Sequence, residues 1–298
     1  MTERFCDVGR GITLCYETFG EESAPPLLLI QGLGMQMVGW PEEFCERLAA
    51  AGFYVVRFDN RDTGRSTHLP GRPPTPGQLL RRRIDPVLYT LSDMAEDAVG
   101  LLRELGLAPA HVVGVSMGGM IAQMVAAEHP SSVRSLVSIM STTGSRWKGQ
   151  PAFRIYRFLL RRAPADRDRF IERTSNLFAV IGSQGLPQDT ERIREIAARS
   201  YDRGLDPAAT GRQLGAIIAS GDRTSQLRTI SAPTLVIHGS KDRMVNRSGG
   251  VATARAIPGS RMVTIQGMGH DLPEAAWPQL LDAISEHARA AERTAVAS

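Results

Sequence analysis

The chain has little cysteine and almost no lysine. Its three cysteines, Cys6, Cys15 and Cys45, are odd in number and lack CxxC spacing, so they suggest neither a disulfide framework nor a zinc site. A reducing, cytoplasmic setting is the expectation. Lys148 and Lys241 are the only lysines in 298 residues, which leaves few candidates for Schiff-base chemistry. No stretch reaches the ~18 uninterrupted apolar residues of a membrane span, and Met1 to Gly11 is polar with no apolar leader core. A soluble, unexported protein with no membrane partner is therefore expected. No nucleic-acid motif is present, so nucleic acid is not an expected partner.

What basic charge there is comes from arginine, unevenly placed. Net charge is +4, yet residues 144–225 carry fourteen arginines and one lysine against nine carboxylates. Such a segment could favour anionic ligands, but a solvated Arg-rich helical surface is the expected reading.

Short apolar runs recur at Leu27 to Ile30, Tyr54 to Phe58, Val112 to Val115, Val133 to Met140, Thr234 to His238 and Met262 to Ile265. Most alternate with segments carrying apolar residues at three and four spacing, namely Pro41 to Ala51, Ser92 to Leu105, Met117 to Glu128 and Glu274 to Ala288. This alternation predicts an α/β fold with a mostly parallel central sheet flanked by helices. Between the two halves the strand signal vanishes. Amphipathic segments at Phe153 to Arg162, Arg167 to Ile181 and Asp189 to Tyr201 predict a helical cap insert over 144–225, with 1–143 and 226–298 forming the core. A proline-rich stretch, Leu69 to Pro86, contains Arg81-Arg82-Arg83 and follows the second clear strand, which places it on the rim of a pocket.

Gly114-Val115-Ser116-Met117-Gly118 reads GxSxG, straight after an apolar run and straight before a helical one. A serine on such a strand-to-helix turn is presented as a nucleophile, and glycine on both flanks leaves room for strained backbone geometry. A hydroxyl needs a base, and the base needs a third group to hold it. Of six histidines, His270 follows the run ending at Ile265 and lies at the same sheet edge, so it is the expected base. His238 ends a strand nearby and is the competitor, expected to pack or hydrogen-bond there instead. Asp242 follows Thr234 to His238 through a short turn, and Ser141-Thr142-Thr143, the rival position, holds no carboxylate. The expected orienting acid is therefore Asp242. Asp271 is expected to be a surface or capping residue.

Two backbone amides must meet a developing oxyanion, and losing one typically costs ~10²- to 10³-fold in turnover. Met117, at a helix start, is one candidate; Leu33, in Gln31-Gly32-Leu33-Gly34 after the first apolar run, is the other. The same loop nearly matches a dinucleotide GxGxxG but has Met37 in place of the third glycine, so no nucleotide is expected. Asp59 to Ser66 reads as a hydrogen-bonded turn. Met35, Met37, Met117, Met140, Met244 and Met268 fall in or beside loops at the presumed active edge, six of the ten methionines after the initiator. With Gly32, Gly34, Trp40 and Trp147, the residues Met35, Met140, Met244 and Met268 would line an adaptable apolar pocket. Ordinary core filling is the alternative for the methionines. No metal or organic cofactor is needed for this chemistry.

In these motifs the chain resembles the α/β-hydrolase fold superfamily: QGLG, DNRDTGRS, GVSMGG, HGSKD and GMGH follow one another in that family's order. The stretch from LLLIQGLG through WPEEFCERLAAAGFYVVRFDNRDTGRST is similar to carboxylesterases of the aclacinomycin methylesterase branch. That resemblance implies cleavage of a methyl ester on a polyketide. Many members have His where Gln31 stands and Gly where Asp62 stands. The expected function is a serine hydrolase acting on a small, apolar or aromatic ester through an acyl-enzyme. Cofactor-free perhydrolysis or haloperoxidase activity, carbon–carbon bond hydrolysis, and a hydrolase-like ligand receptor are the alternatives, because they differ in pocket and acceptor and not in these motifs.

Overall fold

Leu27 and Leu29 point to one side of their strand and Leu28 and Ile30 to the other, and all four are fully buried. Strands covered on both faces are the mark of a parallel sheet sandwiched by helices. The computed structural model, which describes residues 2–152, 155 and 164–297, has an eight-stranded sheet in the order β1-β2-β4-β3-β5-β6-β7-β8. The strands are β1 (Arg4–Asp7), β2 (Thr13–Phe19), β3 (Pro26–Ile30), β4 (Tyr54–Phe58), β5 (Ala110–Val115), β6 (Val133–Ile139), β7 (Thr234–Gly239) and β8 (Arg261–Ile265). From β4 to β8 every pairing is parallel. The antiparallel edge pair β1 and β2 is an addition to the expected strands, formed where Gly9, Arg10 and Gly11 take left-handed backbone and turn the chain back.

The alternating side chains feed two cores. Leu28, Ile30, Val56, Phe58 and Val112 pack with helices α3 (Leu91–Glu104) and α4 (Met117–Glu128). Here α2 denotes Pro76–Arg81, a short helix inside the proline-rich stretch with a Thr75/Gln78 capping box. On the other face Leu27, Leu29, Val55, Val113 and Val115 pack with α1 (Glu42–Ala50) and with Trp277, Leu280 and Ile284 of the C-terminal helix. Parallel strands bring their carboxyl ends to one edge, so the loops after β3, β5, β7 and β8 meet there.

Between β6 and β7 the described residues form helices α5 (Arg167–Ile181), α6 (Thr190–Arg203), α7 (Ala209–Ser220) and α8 (Thr224–Leu227), with no strand among them. The segment expected at Phe153 to Arg162 lies outside the described residues except for Ile155, which is buried. The arginines of this region are not all solvated. Arg203 pairs with Asp59 at 2.7 Å, Arg212 pairs with Asp62 at 2.6 Å, and both acids are fully buried. Buried Arg223 donates to the Thr142 and Gly221 carbonyls, and burial pushes its guanidinium down to about 10. These three charges hold the region onto the turn at 59–66 and the loop after β6, which corrects the expectation of a purely solvated surface.

Candidate active site

The turn after β5 is tight enough to exclude side chains. A Cβ on Gly114 would sit 2.1 Å from the Gly118 carbonyl oxygen, and one on Gly118 would sit 2.1 Å from the Ile30 carbonyl oxygen. Both glycines are therefore required by close backbone approach. Ser116 is forced to φ +54°, a conformation that costs a non-glycine residue ~1–3 kcal/mol and persists only where neighbours impose it. Its amide donates to the Ile139 carbonyl at 2.9 Å, and its carbonyl accepts from the Met120 amide and the Ser141 hydroxyl. The hydroxyl Oγ is left facing the loops at the sheet edge.

There it meets His270. Ser116 Oγ lies 2.9 Å from His270 Nε2, and His270 Nδ1 lies 2.7 Å from Asp242 Oδ2. With Nδ1–H donating to the carboxylate, Nε2 turns its lone pair toward the serine hydroxyl. Asp242 is held in turn, because its Oδ1 accepts from the Met244 and Val245 amides at 2.9 and 2.8 Å. His238, the competitor, places Nε2 2.8 Å from the Val245 carbonyl and 3.5 Å from Asp242 Oδ2. Burial lowers its pKa, and its ring nitrogen contacts the Val245 carbonyl and the acid rather than Ser116. The other four histidines have partners elsewhere: His111 with Ser135, His129 with Glu96, His287 with the Pro233 carbonyl and His68 with the Gly64 carbonyl.

Gly32 faces the serine directly, since a Cβ there would lie 3.2 Å from Ser116 Cβ. The Gly32 amide donates to Gln31 Oε1, the Gly34 amide to Gln213 Oε1 and the Met35 amide to the Gly32 carbonyl. The Leu33 amide has no partner among the described residues. Met117 is the first residue of α4, so its amide lies outside the helical ladder. The chemical capacity of this arrangement is a nucleophile, a base, and two amides available to a negative oxygen.

The expected apolar pocket is largely corrected. Trp40 and Met268 have no accessible surface and Met140 is 3% exposed; all three pack in the core between the sheet and α1 and the C-terminal helix, with Trp40 stacked on Phe44. A side chain that water cannot reach does not line an open cavity. Trp147 is 86% exposed and turns its ring to solvent. Met35 and Met244 are half-buried, and Met37 is wholly buried. Thioether chains here fill irregular gaps beneath the loops. Gly34 is exposed and left-handed, with Thr210 of α7 against it. Thr210 also lines a groove of about 770 Å³ between α7 and residues 71–89, walled by Pro73, Pro74, Leu88 and Leu214. Asp271 is partly buried, and its carboxylate accepts from the amide and hydroxyl of Ser183 just past α5.

One cluster among the described residues has metal-ligand geometry, Asp62, His68 and Asp206. Arg212 donates to both carboxylates and already supplies the positive charge there. No helix among the described residues is long and apolar enough to cross a membrane.

Residues 25–274 match the family described as alpha/beta hydrolase fold. The rhodomycin D methylesterases DauP of Streptomyces sp. (strain C5) and DnrP of Streptomyces peucetius are each 31% identical to this chain, over 94% of its length and 96% of theirs. Among solved structures, the 2-hydroxy-6-oxo-6-phenylhexa-2,4-dienoate hydrolase of Rhodococcus sp. strain RHA1 superposes with a TM-score of 0.76 at 19% identity, over 97% of this chain and 98% of that one. That likeness concerns the fold alone.

Proposed function

The chain belongs to the α/β-hydrolase fold family, and within it we propose a serine-dependent carboxylic ester hydrolase. The observation that carries this reading is the hydrogen-bonded series Ser116 Oγ, His270 Nε2, His270 Nδ1 and Asp242 Oδ2, at 2.9 and 2.7 Å, on a turn that strains the serine. Ser116 attacks the ester carbonyl while His270 takes its proton, and Asp242 stabilises the imidazolium. The Met117 and Leu33 amides hold the tetrahedral oxyanion. His270 protonates the departing alcohol, then activates water to release the acid from the acyl-serine.

The similarity to rhodomycin D methylesterases supports a methyl ester as the substrate class, and the proposed substrate is a small apolar or aromatic ester. In this reading residues 144–225 are a cap over the core, the groove beside Thr210 takes the bulk of the substrate, and the protein works in the cytoplasm. Ser116→Ala is expected to lower kcat/KM for p-nitrophenyl acetate by at least ~10³-fold with the melting temperature retained. Full activity in that variant would refute the mechanism. A series of esters varied separately in acyl and alcohol size is expected to favour methyl esters of apolar or aromatic acids.

A further inference from the structure

The loop that carries Leu33 is held from outside the core. Gly32 to Met35 closes a turn through the Met35 amide and the Gly32 carbonyl at 3.1 Å, with Gly34 at φ +67° and Leu33 in ordinary backbone. That is a type II turn, whose central peptide is free to flip to the type I arrangement unless something pins it. Its central N–H belongs to Gly34, and it donates to Gln213 Oε1 at 2.8 Å. Gln213 stands on α7, is fully buried, and its Nε2 donates to the Arg61 carbonyl at 2.9 Å and to Thr63 Oγ1 at 2.7 Å. Three contacts leave its amide a single orientation, with the oxygen toward Gly34.

The far end of the loop is held the same way. Gln36 Nε2 donates to the Ser200 and Gly204 carbonyls at the end of α6, and Arg203 donates to Gln36 Oε1. The Gly32 carbonyl and the Leu33 amide share one peptide plane and point in opposite directions. Closing the turn on the Gly32 carbonyl therefore aims the Leu33 N–H.

We propose that Gln213 is a positioning residue: by holding the Gly34 amide, it fixes where the Gly32 to Met35 turn, and with it the Leu33 amide, sits relative to Ser116. The helices between β6 and β7 then contribute to the reaction geometry as well as to the walls of the site. This rests on the ester-hydrolase reading above, with the Leu33 amide as oxyanion donor. That amide stabilises the charged tetrahedral state more than the neutral ester, so its displacement lowers kcat more than it raises KM.

Gln213→Leu, compared with wild type on p-nitrophenyl acetate, is expected to lower kcat about 10- to 100-fold while KM stays within about twofold. The Ki of an alkyl trifluoromethyl ketone, which forms a tetrahedral adduct on serine, is expected to rise in parallel with the loss in kcat. A purely structural role would lower the folded fraction without raising Ki. Thr63→Val removes one of the two anchors of the Gln213 amide and covers the case in which Gln213→Leu does not fold. It is expected to lower kcat about threefold to tenfold with the same rise in Ki. Unchanged kcat and Ki in a folded variant overturn the proposal. If Ser116→Ala is inactive while the Gln213 and Thr63 variants behave as wild type, only the positioning role falls; if Ser116→Ala is active, both readings fall.

Discussion

Asp271 accepts two hydrogen bonds from Ser183, one from the amide at 3.0 Å and one from the hydroxyl at 2.6 Å. The same hydroxyl accepts from the Gly269 amide at 2.9 Å, and the His270 amide donates to the Ile181 carbonyl at 2.8 Å. The chain leaving α5 is thereby stitched to the residues on either side of His270. Four bonds within a few residues restrict where the imidazole sits relative to Ser116.

Burial pushes the Asp271 carboxyl above its ordinary range, against the pull of the Ser183 donors. A raised folded value means the folded chain keeps a proton that the unfolded chain has lost. Wild type therefore loses stability from this group as pH rises from ~3.9 through the folded value. Asp271→Asn removes that ionisation at nearly constant shape. Urea unfolding at pH 4 and pH 7 is expected to show the variant gaining on wild type at the higher pH. Identical pH dependence in the two proteins would contradict this account.

Asp62 holds φ +63°, a conformation that favours glycine, yet its carboxylate accepts from Arg212, the Leu69 amide and the Tyr89 hydroxyl. Glycine would relieve roughly 1–2 kcal/mol of left-handed strain. It would also leave Arg212 with only the partly exposed Asp206 as carboxylate partner and strip the Tyr89 hydroxyl and the Leu69 amide of their acceptor, together worth ~3–5 kcal/mol. Asp62→Gly is thus expected to destabilise the protein by about 2–4 kcal/mol in denaturant titrations. A stabilised variant would show that the strain outweighs the pair.

His111 lies in the sheet with Nδ1 on Ser135, and burial pushes its imidazole down to about 4. Below pH 6.5 the unfolded chain gains a proton that the folded chain refuses, so stability falls as pH falls toward 4. Between pH 7 and pH 5 this contributes on the order of 2 kcal/mol. His111→Asn is expected to flatten that part of the stability curve, measured by urea midpoints. A variant curve parallel to wild type would rule out His111 as the source.

Much of the fold was legible because its signals are local. Apolar runs such as Tyr54 to Phe58 mark strands buried on both faces, and the helix expected at Met117 to Glu128 has those bounds in the structure. Ser116, Asp242 and His270 could be found because each follows a strand of one parallel sheet, and such strands end at one edge. The pocket was not legible. A methionine in a loop can turn toward the cavity or toward the core, and Met140 and Met268 turn to the core. The hairpin of β1 and β2 depends on the turn at Gly9 to Gly11, which carries no apolar pattern of its own.

By itself the sequence determined the alternation of strands and helices, the strained serine turn, and the chain order of Ser116, Asp242 and His270, the residues proposed as nucleophile, acid and base. Each of these is written in spacings of a few residues, where backbone geometry and immediate neighbours decide the outcome. Only the tertiary structure decided that Gln213 meets Gly34, that Arg212 meets Asp62, and that Asp271 turns to Ser183. These partners stand 179, 150 and 88 residues apart along the chain. Their pairing depends on how helices from one segment settle over loops of another, and the burial of their polar groups makes each hydrogen bond obligatory once they arrive.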